Sequence, residues 1–204
     1  MNIALFGILC LLWAGATFFF YHYRLWFLFY VVGAVGSALL IIYGGHALIP
    51  LERWLETSSA YSVHGIAALF GVQTRIFQEA PGSILVLVIP QGQGWTMLEI
   101  GIECSGLLEG AVLFGLLAFF PGWTAGPRIG RIFFGFLATY FGNLVRLLFI
   151  VLTLAYLGKD TLFISHTVIG RIIFFLFVVI IFWTLITRPT LQQIRADLLK
   201  DKTG

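Results

Sequence analysis

Long apolar runs separated by short groups of charged residues dominate the hydrophobic pattern of this chain. A helix needs about 20 mostly apolar residues to cross the hydrocarbon core of a bilayer. The first apolar run has neither a basic stretch ahead of it nor a small-residue cleavage site, so we interpret it as a mature span rather than a signal peptide. Five segments reach or nearly reach the required length and are predicted to be transmembrane helices: 3–20, 25–49, 104–120, 131–157 and 166–187.

The segment 50–103, between the second and third predicted spans, has a different pattern. Val63–Val72 is apolar but too short to span a bilayer, so it predicts a short interfacial helix or a re-entrant piece. Two β-like runs follow, Ile84–Ile89 and Thr96–Ile102, and the sequence PQGQGW between them is typical of a hairpin turn. The second run leads directly to Cys104 at the start of the third span, and we expect the hairpin to present this side chain rigidly.

Composition indicates that most of the surface faces lipid. Of the 204 residues, 60% are hydrophobic and only 10% are charged, whereas a soluble domain needs about 25% charged residues. No linker or internal repeat divides the chain. Residues 1–204 are therefore predicted to form a single all-α integral membrane bundle with a small extracellular β-hairpin and a short interfacial helix. The 12 Lys and Arg are scattered rather than clustered, which argues against a nucleic-acid partner and leaves membrane lipid as the expected one.

The basic residues also predict how the helices are oriented. Lys and Arg concentrate in cytoplasmic loops. With the N-terminus outside and the C-terminus inside, the outer side holds only three basic residues, and 188–204 becomes a cytoplasmic tail. The other basic residues outside the spans then lie in the cytoplasm: Arg24, Arg128, Arg131, Arg188, Arg195, Lys200 and Lys202. The segment 50–103 is thus predicted to be extracellular.

Four side chains with reactive or charged groups are predicted to lie at a similar depth. Charges inside a bilayer cost at least about 2.5–3.5 kcal/mol each, so they are seldom accidental. With a rise of about 1.5 Å per residue, Cys104, Arg146 and Arg171 each lie about 22–24 Å from the cytoplasmic end of their helices. His166 lies at the outer rim. Three helices therefore bring a thiol, an imidazole and two guanidinium groups near the outer leaflet.

This set of groups permits acyl-transfer chemistry. A thiol is nucleophilic as the thiolate, and cations or a helix N-terminus, such as the one expected at Cys104, lower the pKa of a thiol. His166 can act as general base and then as general acid to the leaving amine. Arg146 can stabilise the oxyanion of a tetrahedral intermediate. Asn143 shares a helix face with Arg146 and can orient the guanidinium or donate to the same oxyanion.

Each of these residues also has a purely structural explanation. A single Cys in a span is usually a packing residue, which is the structural explanation for Cys104 and for Cys10. Arg146 or Arg171 can pair with Glu109 inside the membrane, and His166 can anchor a helix at the interface. The other histidines lack the spacing of metal ligands, and two cysteines imply no disulfide framework. No metal or other cofactor is therefore predicted.

Three motifs, taken in their order and placement, resemble the exosortase/archaeosortase family of multi-pass membrane enzymes. IECSGLLEG opens the third predicted span, GNLVRLL lies in the fourth, and SHTVIGR opens the fifth. The resemblance covers roughly residues 60–185. Members of this family are thought to process proteins that carry a C-terminal sorting signal, made of a short motif, a hydrophobic helix and a basic tail.

The resemblance implies a catalytic set and an activity. The proposed family residues are a Cys, an Arg and a downstream His (Arg in some archaeal members), which correspond to Cys104, Arg146 and His166, with Asn143 as companion of the Arg. Arg171 departs from the apolar or aromatic residue expected at its place, so no role is assigned to it. The chain is shorter than most members and looks like the compact Gram-positive type. The implied function is a cysteine protease or transpeptidase acting at the outer face of the cell membrane without a cofactor.

Two other function classes fit parts of the pattern. A non-enzymatic scaffold for envelope polymer export would use buried charges to tie helices together. The small residues Ala138 and Gly142 favour close helix packing under either hypothesis. A carrier or channel would need polar groups that thread the bilayer, whereas these groups are predicted to gather near one face.

Overall fold

Helices make up most of the described chain in a computed structural model, which covers residues 3–48, 50–80, 83–91, 94–161 and 163–201. A 3₁₀ turn (Lys159–Thr161) and two π-helical segments (Ile164–Ile169 and Trp183–Thr187) lie among the last helices. The regular elements are α1 (Ile3–His22), α2 (Trp26–Ala47), α3 (Leu51–Leu69), β1 (Arg75–Ala80), β2 (Ser83–Gln91), β3 (Gly94–Glu99), α4 (Ile102–Ser105), α5 (Leu107–Ala118), α6 (Ala125–Leu157), α7 (Gly170–Phe182) and α8 (Arg188–Asp201).

Within the described ranges, four helical stretches are long and apolar enough to cross a membrane: Ala4–His22, Trp26–His46, Gly126–Leu157 and Ile164–Arg195. They correspond to four of the five predicted spans and fit a multi-pass membrane protein. The last stretch continues past the predicted end at residue 187, because α8 prolongs α7 through the second π-helical segment. The predicted tail 188–204 is therefore helical as far as Asp201.

The third predicted span, 104–120, is not one continuous helix. α5 has 12 residues, which is about 18 Å of helix and too short to cross a hydrocarbon core of about 30 Å by itself. Gly106 separates it from α4 with a φ of 74°, a left-handed conformation that glycine adopts readily and other residues rarely do. The prediction of an unbroken helix was wrong here because the apolar run did not reveal this interruption.

The contact between α2 and α5 is close because glycines line it. A Cβ added at Gly115 would lie 2.3 Å from the carbonyl oxygen of Ala34, and one at Gly33 would lie 2.3 Å from the Phe119 ring. Small residues of this kind let helices approach each other in lipid, where packing drives association. α5 packs in turn on α6, and α6 on α7. The helices thus follow one another across the bundle, with α1 on the outside of α2.

The segment 50–103 forms α3 and an antiparallel sheet in the order β1–β2–β3. The predicted hairpin is confirmed, since β2 and β3 pair from Val86 and Glu99 to Gln91 and Gly94; residues 92 and 93 of its turn lie outside the described residues. β1 was not predicted. β3 ends at Glu99 rather than at residue 102, so a short non-strand connection precedes α4.

The interfacial helix expected at 63–72 is the second half of a longer helix. α3 begins twelve residues earlier, at Leu51, and ends at Leu69. In its first half, Ser58 bonds to α6: Ser58 Oγ and Tyr140 OH lie 2.6 Å apart. This contact stabilises a polar stretch that hydrophobicity alone does not mark as helical.

The two ends of the bundle differ in character. A Cβ on Gly45, near the end of α2, would lie 3.5 Å from Leu51 and 3.6 Å from Leu107, whereas Gly33 lies against Phe119. α3, β1–β3 and α4 therefore lie at one end, which we call the head. The opposite end, the basic end, has Arg24, Arg128, Arg131 and Arg188.

Candidate active site

Cys104 and His166 are in contact although they are 62 positions apart in the sequence. The distance from Cys104 Sγ to His166 Nε2 is 3.8 Å. Cys104 is 3% exposed, and His166 is half-buried. This distance lies within reach of a hydrogen bond to sulfur, and such bonds at catalytic sites are often long before substrate binds. The arrangement therefore allows a proton to pass between the thiol and the imidazole.

His166 lies in the π-helical segment Ile164–Ile169, directly ahead of α7. A π-helix places side chains at angles that an α-helix does not, and such segments occur frequently at functional sites. Gly170 follows it, where a Cβ would lie 3.0 Å from the Ser165 carbonyl oxygen and 3.1 Å from Ile150 on α6. This glycine lets the two helices approach closely beside His166.

Side chains satisfy the backbone groups on either side of the interruption at Gly106. The last carbonyls and first N–H groups of a helix have no partners within it. Asn143 Nδ2 donates to the carbonyl oxygen of Cys104 at 2.6 Å, and the Leu107 N–H donates to Ser105 Oγ at 3.1 Å. Asn143 thus contacts the residue that bears the thiol, through its backbone. The sequence suggested that Asn143 orients the Arg146 guanidinium or donates to the oxyanion. It did not suggest a contact with the Cys104 backbone.

The sequence suggested that Cys104 lies at the N-terminus of a spanning helix. The structure places it elsewhere. It is the third residue of the one-turn helix α4, and its N–H donates to the Gly101 carbonyl oxygen at 2.8 Å. Its side chain packs in an apolar cluster with Ala60 and Val63 of α3 and Leu147 of α6. The group placed to affect the reactivity of the Cys104 thiol is therefore the His166 side chain rather than the N-terminus of a long helix.

Arg146 is a buried cation on the same face of α6 as Asn143. It is 4% exposed, and its guanidinium carbon lies 5.7 Å from the centre of the Phe174 ring on α7. A cation and an aromatic ring attract each other at this separation. The adjacent Leu147 belongs to the apolar cluster that contains Cys104. A positive charge is thus held in the low-dielectric interior, about one helical turn from the residue that bonds to the backbone of Cys104.

Arg171 and Glu109, the other two charged residues singled out from the sequence, differ in exposure. Arg171 is exposed on the surface of α7. Glu109 is half-buried in the first turn of α5. It lines a cavity of about 230 Å³ together with apolar residues of α5 and α7 and with Thr139 of α6. Cys104, Arg146 and His166 are not among the described residues that line this cavity.

Buried polar residues on α3 were not singled out from the sequence. Glu56 is 1% exposed and Ser59 is fully buried. They share the inner face of α3 with Ala60, Val63 and Ala67, which pack in the same cluster as Cys104. The recurrence of these positions at steps of three and four residues was the available signal. It was missed because Glu56 was assigned to the extracellular loop.

The reactive and charged groups described in this region include a thiol, an imidazole and a buried guanidinium. Among the described residues, no group of three or more His, Cys, Asp and Glu side chains could hold a metal ion. Neither cysteine forms a disulfide.

No protein family, curated protein or solved structure matches the chain at a significant level. What the protein does must therefore be inferred from the chemistry of the site and from its three motifs.

Proposed function

We propose that this protein is a membrane-embedded cysteine peptidase or transpeptidase of the exosortase type, with Cys104 as its nucleophile. The observation that carries the proposal is the 3.8 Å contact between Cys104 Sγ and His166 Nε2. A lone buried Cys is usually a packing residue. A thiol that faces an imidazole from another helix instead has the arrangement of a nucleophile and its base.

In the proposed reaction, His166 takes the proton of the Cys104 thiol, and the thiolate attacks a peptide carbonyl. Arg146 stabilises the negative charge on the carbonyl oxygen, an interaction that is stronger away from water. The tetrahedral intermediate collapses to a thioester as His166 gives its proton to the leaving amine. Water or an acceptor amine then attacks the thioester and regenerates the thiol. Water makes the reaction a hydrolysis, and an amine makes it a transpeptidation.

The proposed substrate is an exported protein held in the membrane by its C-terminal hydrophobic helix, which a short motif precedes and a basic tail follows. The head, which bears Cys104, faces the extracellular side in this proposal. The basic end then faces the cytoplasm, where Lys and Arg are enriched in membrane proteins. A site at the outer surface suits a signal that is cleaved after export.

A thiol reagent that cannot cross the membrane is expected to label Cys104 in intact cells, in a Cys10→Ala background with a single thiol. Labelling is expected to be slow, because Cys104 is 3% exposed. The matched control adds Gln192→Cys on the exposed surface of α8 to a chain without native thiols. This cysteine is expected to react only after the cells are permeabilised. Labelling of Gln192→Cys but not of Cys104 in intact cells would reverse the proposed orientation.

Capture of the thioester tests the activity itself. In cells that also express a protein ending in a short motif, a hydrophobic helix and a basic tail, Cys104 is expected to carry an acyl adduct. Hydroxylamine should remove that adduct, and mass spectrometry of the peptide that contains Cys104 would detect both states. A scaffold for polymer export forms no such adduct. Processing of the substrate with Cys104 unmodified throughout turnover would contradict the proposal.

A further inference from the structure

Asn143 holds the backbone of the residue that bears the thiol. Its Nδ2 donates to the Cys104 carbonyl oxygen at 2.6 Å, and the side chain is fully buried. Its Cβ, Cγ and Nδ2 all lie 3.6 Å from the place of a Cβ on Gly106, so the amide packs across the interruption between α4 and α5. α4 has only four residues. A single turn is not stable by itself, so contacts from other elements must fix its orientation.

We propose that Asn143 is a positioning residue whose amide holds α4 in the orientation that brings Cys104 Sγ to His166 Nε2. This inference rests on the proposed function, in which that pair performs the chemistry. The separation of 3.8 Å leaves little tolerance, since a further displacement of about 1 Å can cost about 100-fold in rate. Asn143 thus acts through Cys104, in place of the oxyanion or guanidinium contact expected from the sequence.

The position requires a hydrogen-bond donor and not merely a side chain of the right volume. A buried carbonyl such as that of Cys104 needs a partner, and the Asn143 amide donates to it. Asn143→Asp keeps the shape of the side chain but can place an oxygen opposite the carbonyl oxygen. The two oxygens then repel each other, and α4 is released from α6.

The test measures how fast iodoacetamide alkylates Cys104 at a series of pH values in the purified full-length Cys10→Ala protein. His166→Ala is expected to slow alkylation at neutral pH by about threefold to tenfold and to give the pH profile of an isolated thiol. Asn143→Asp is expected to give the same loss and the same profile. The double variant is expected to be no slower than either single variant, because both remove one shared contact.

Thr139→Val is the matched control, since Thr139 is buried one turn earlier on the same face of α6, and it is expected to keep the parent rate. A lowered melting temperature with an unchanged pH profile in Asn143→Asp would assign Asn143 to packing alone. Effects that multiply in the double variant would make the two residues independent, and either result overturns the positioning role. If Asn143→Asp does not yield a monodisperse protein, Asn143→Ser, whose hydroxyl is too short to replace the amide, must show the same loss.

The same measurements separate this inference from the proposed function. If His166→Ala leaves the alkylation rate and its pH profile unchanged, the Cys104–His166 pair does not activate the thiol, and the catalytic proposal itself fails. If His166→Ala slows alkylation while Asn143→Asp does not, only the positioning role is overturned.

Discussion

On the proposed function, Cys104→Ala and Cys104→Ser are both expected to lower substrate processing by at least about 10⁴-fold, the scale at which loss of the nucleophile acts in hydrolases that form an acyl intermediate. Alanine removes the attacking atom. Serine keeps nearly the same shape, but its hydroxyl is a far weaker nucleophile than a thiol near neutral pH. The measurement is the size of a co-expressed candidate substrate, followed over time in membranes that contain equal amounts of each variant.

Cys10→Ala is the matched control for this prediction. Cys10 is the other thiol of the chain and lies half-buried on α1, so its loss is expected to leave processing unchanged. Wild-type processing by Cys104→Ser would exclude a nucleophilic role and favour the scaffold hypothesis. A scaffold tolerates an almost isosteric change at Cys104, because it needs only the volume of that side chain.

The long spans were predictable from the sequence because a bilayer imposes a length on any apolar helix that crosses it. α1, α2 and α6 begin or end within a few residues of the predicted limits, apart from the earlier start of α6 at Ala125. The interruption at Gly106 was not predictable, because its positive φ depends on how α4 packs against α3 and α6. Hydrophobicity alone treats 104–120 as a single run.

The elements of the head were harder to predict for a related physical reason. The β2–β3 hairpin could be predicted because the residues of its turn favour a turn by themselves, without contacts from the rest of the chain. α3 is stabilised by contacts distant in sequence, such as Ser58 with Tyr140. Long-range contacts of this kind override local preference, so composition along the chain does not reveal them.

The sequence named a set of candidate residues but not their geometry. Similar predicted depth and the order of the motifs selected Cys104 and Arg146, and the motif order added His166 at the outer rim. Depth says nothing about which way a side chain points. The π-helical segment around His166 and the bond from Asn143 to the Cys104 carbonyl are properties of the packed bundle. Arg171 shows the limit of the depth criterion, because it has a suitable depth but lies on the exposed surface of α7.

Arg146→Ala is expected to lower substrate processing by about 10²–10³-fold, the cost of removing one donor that stabilises an oxyanion. The buried position of Arg146, 4% exposed, makes its charge effective because little water screens it. Arg146→Lys keeps the positive charge but loses the planar set of donors, so an intermediate loss is expected. Alkylation of Cys104 by iodoacetamide forms no oxyanion, and its rate is therefore expected to change much less than processing.

Arg131→Ala is the matched control, because it too removes a cation from an aromatic face. The Arg131 guanidinium carbon lies 3.9 Å from the centre of the Trp123 ring, at the basic end. Both variants lose a cation–π contact, worth about 0.5–2 kcal/mol, and are expected to lower the melting temperature. Only Arg146→Ala is expected to lower the rate of processing per folded protein. If processing falls in both variants merely in proportion to the folded protein that remains, Arg146 ties helices together and has no part in the chemistry. If Arg146→Ala instead lowers the rate of processing while the rate of Cys104 alkylation is preserved, the guanidinium lies at the negative charge that develops during the reaction. A non-enzymatic scaffold does not require this role.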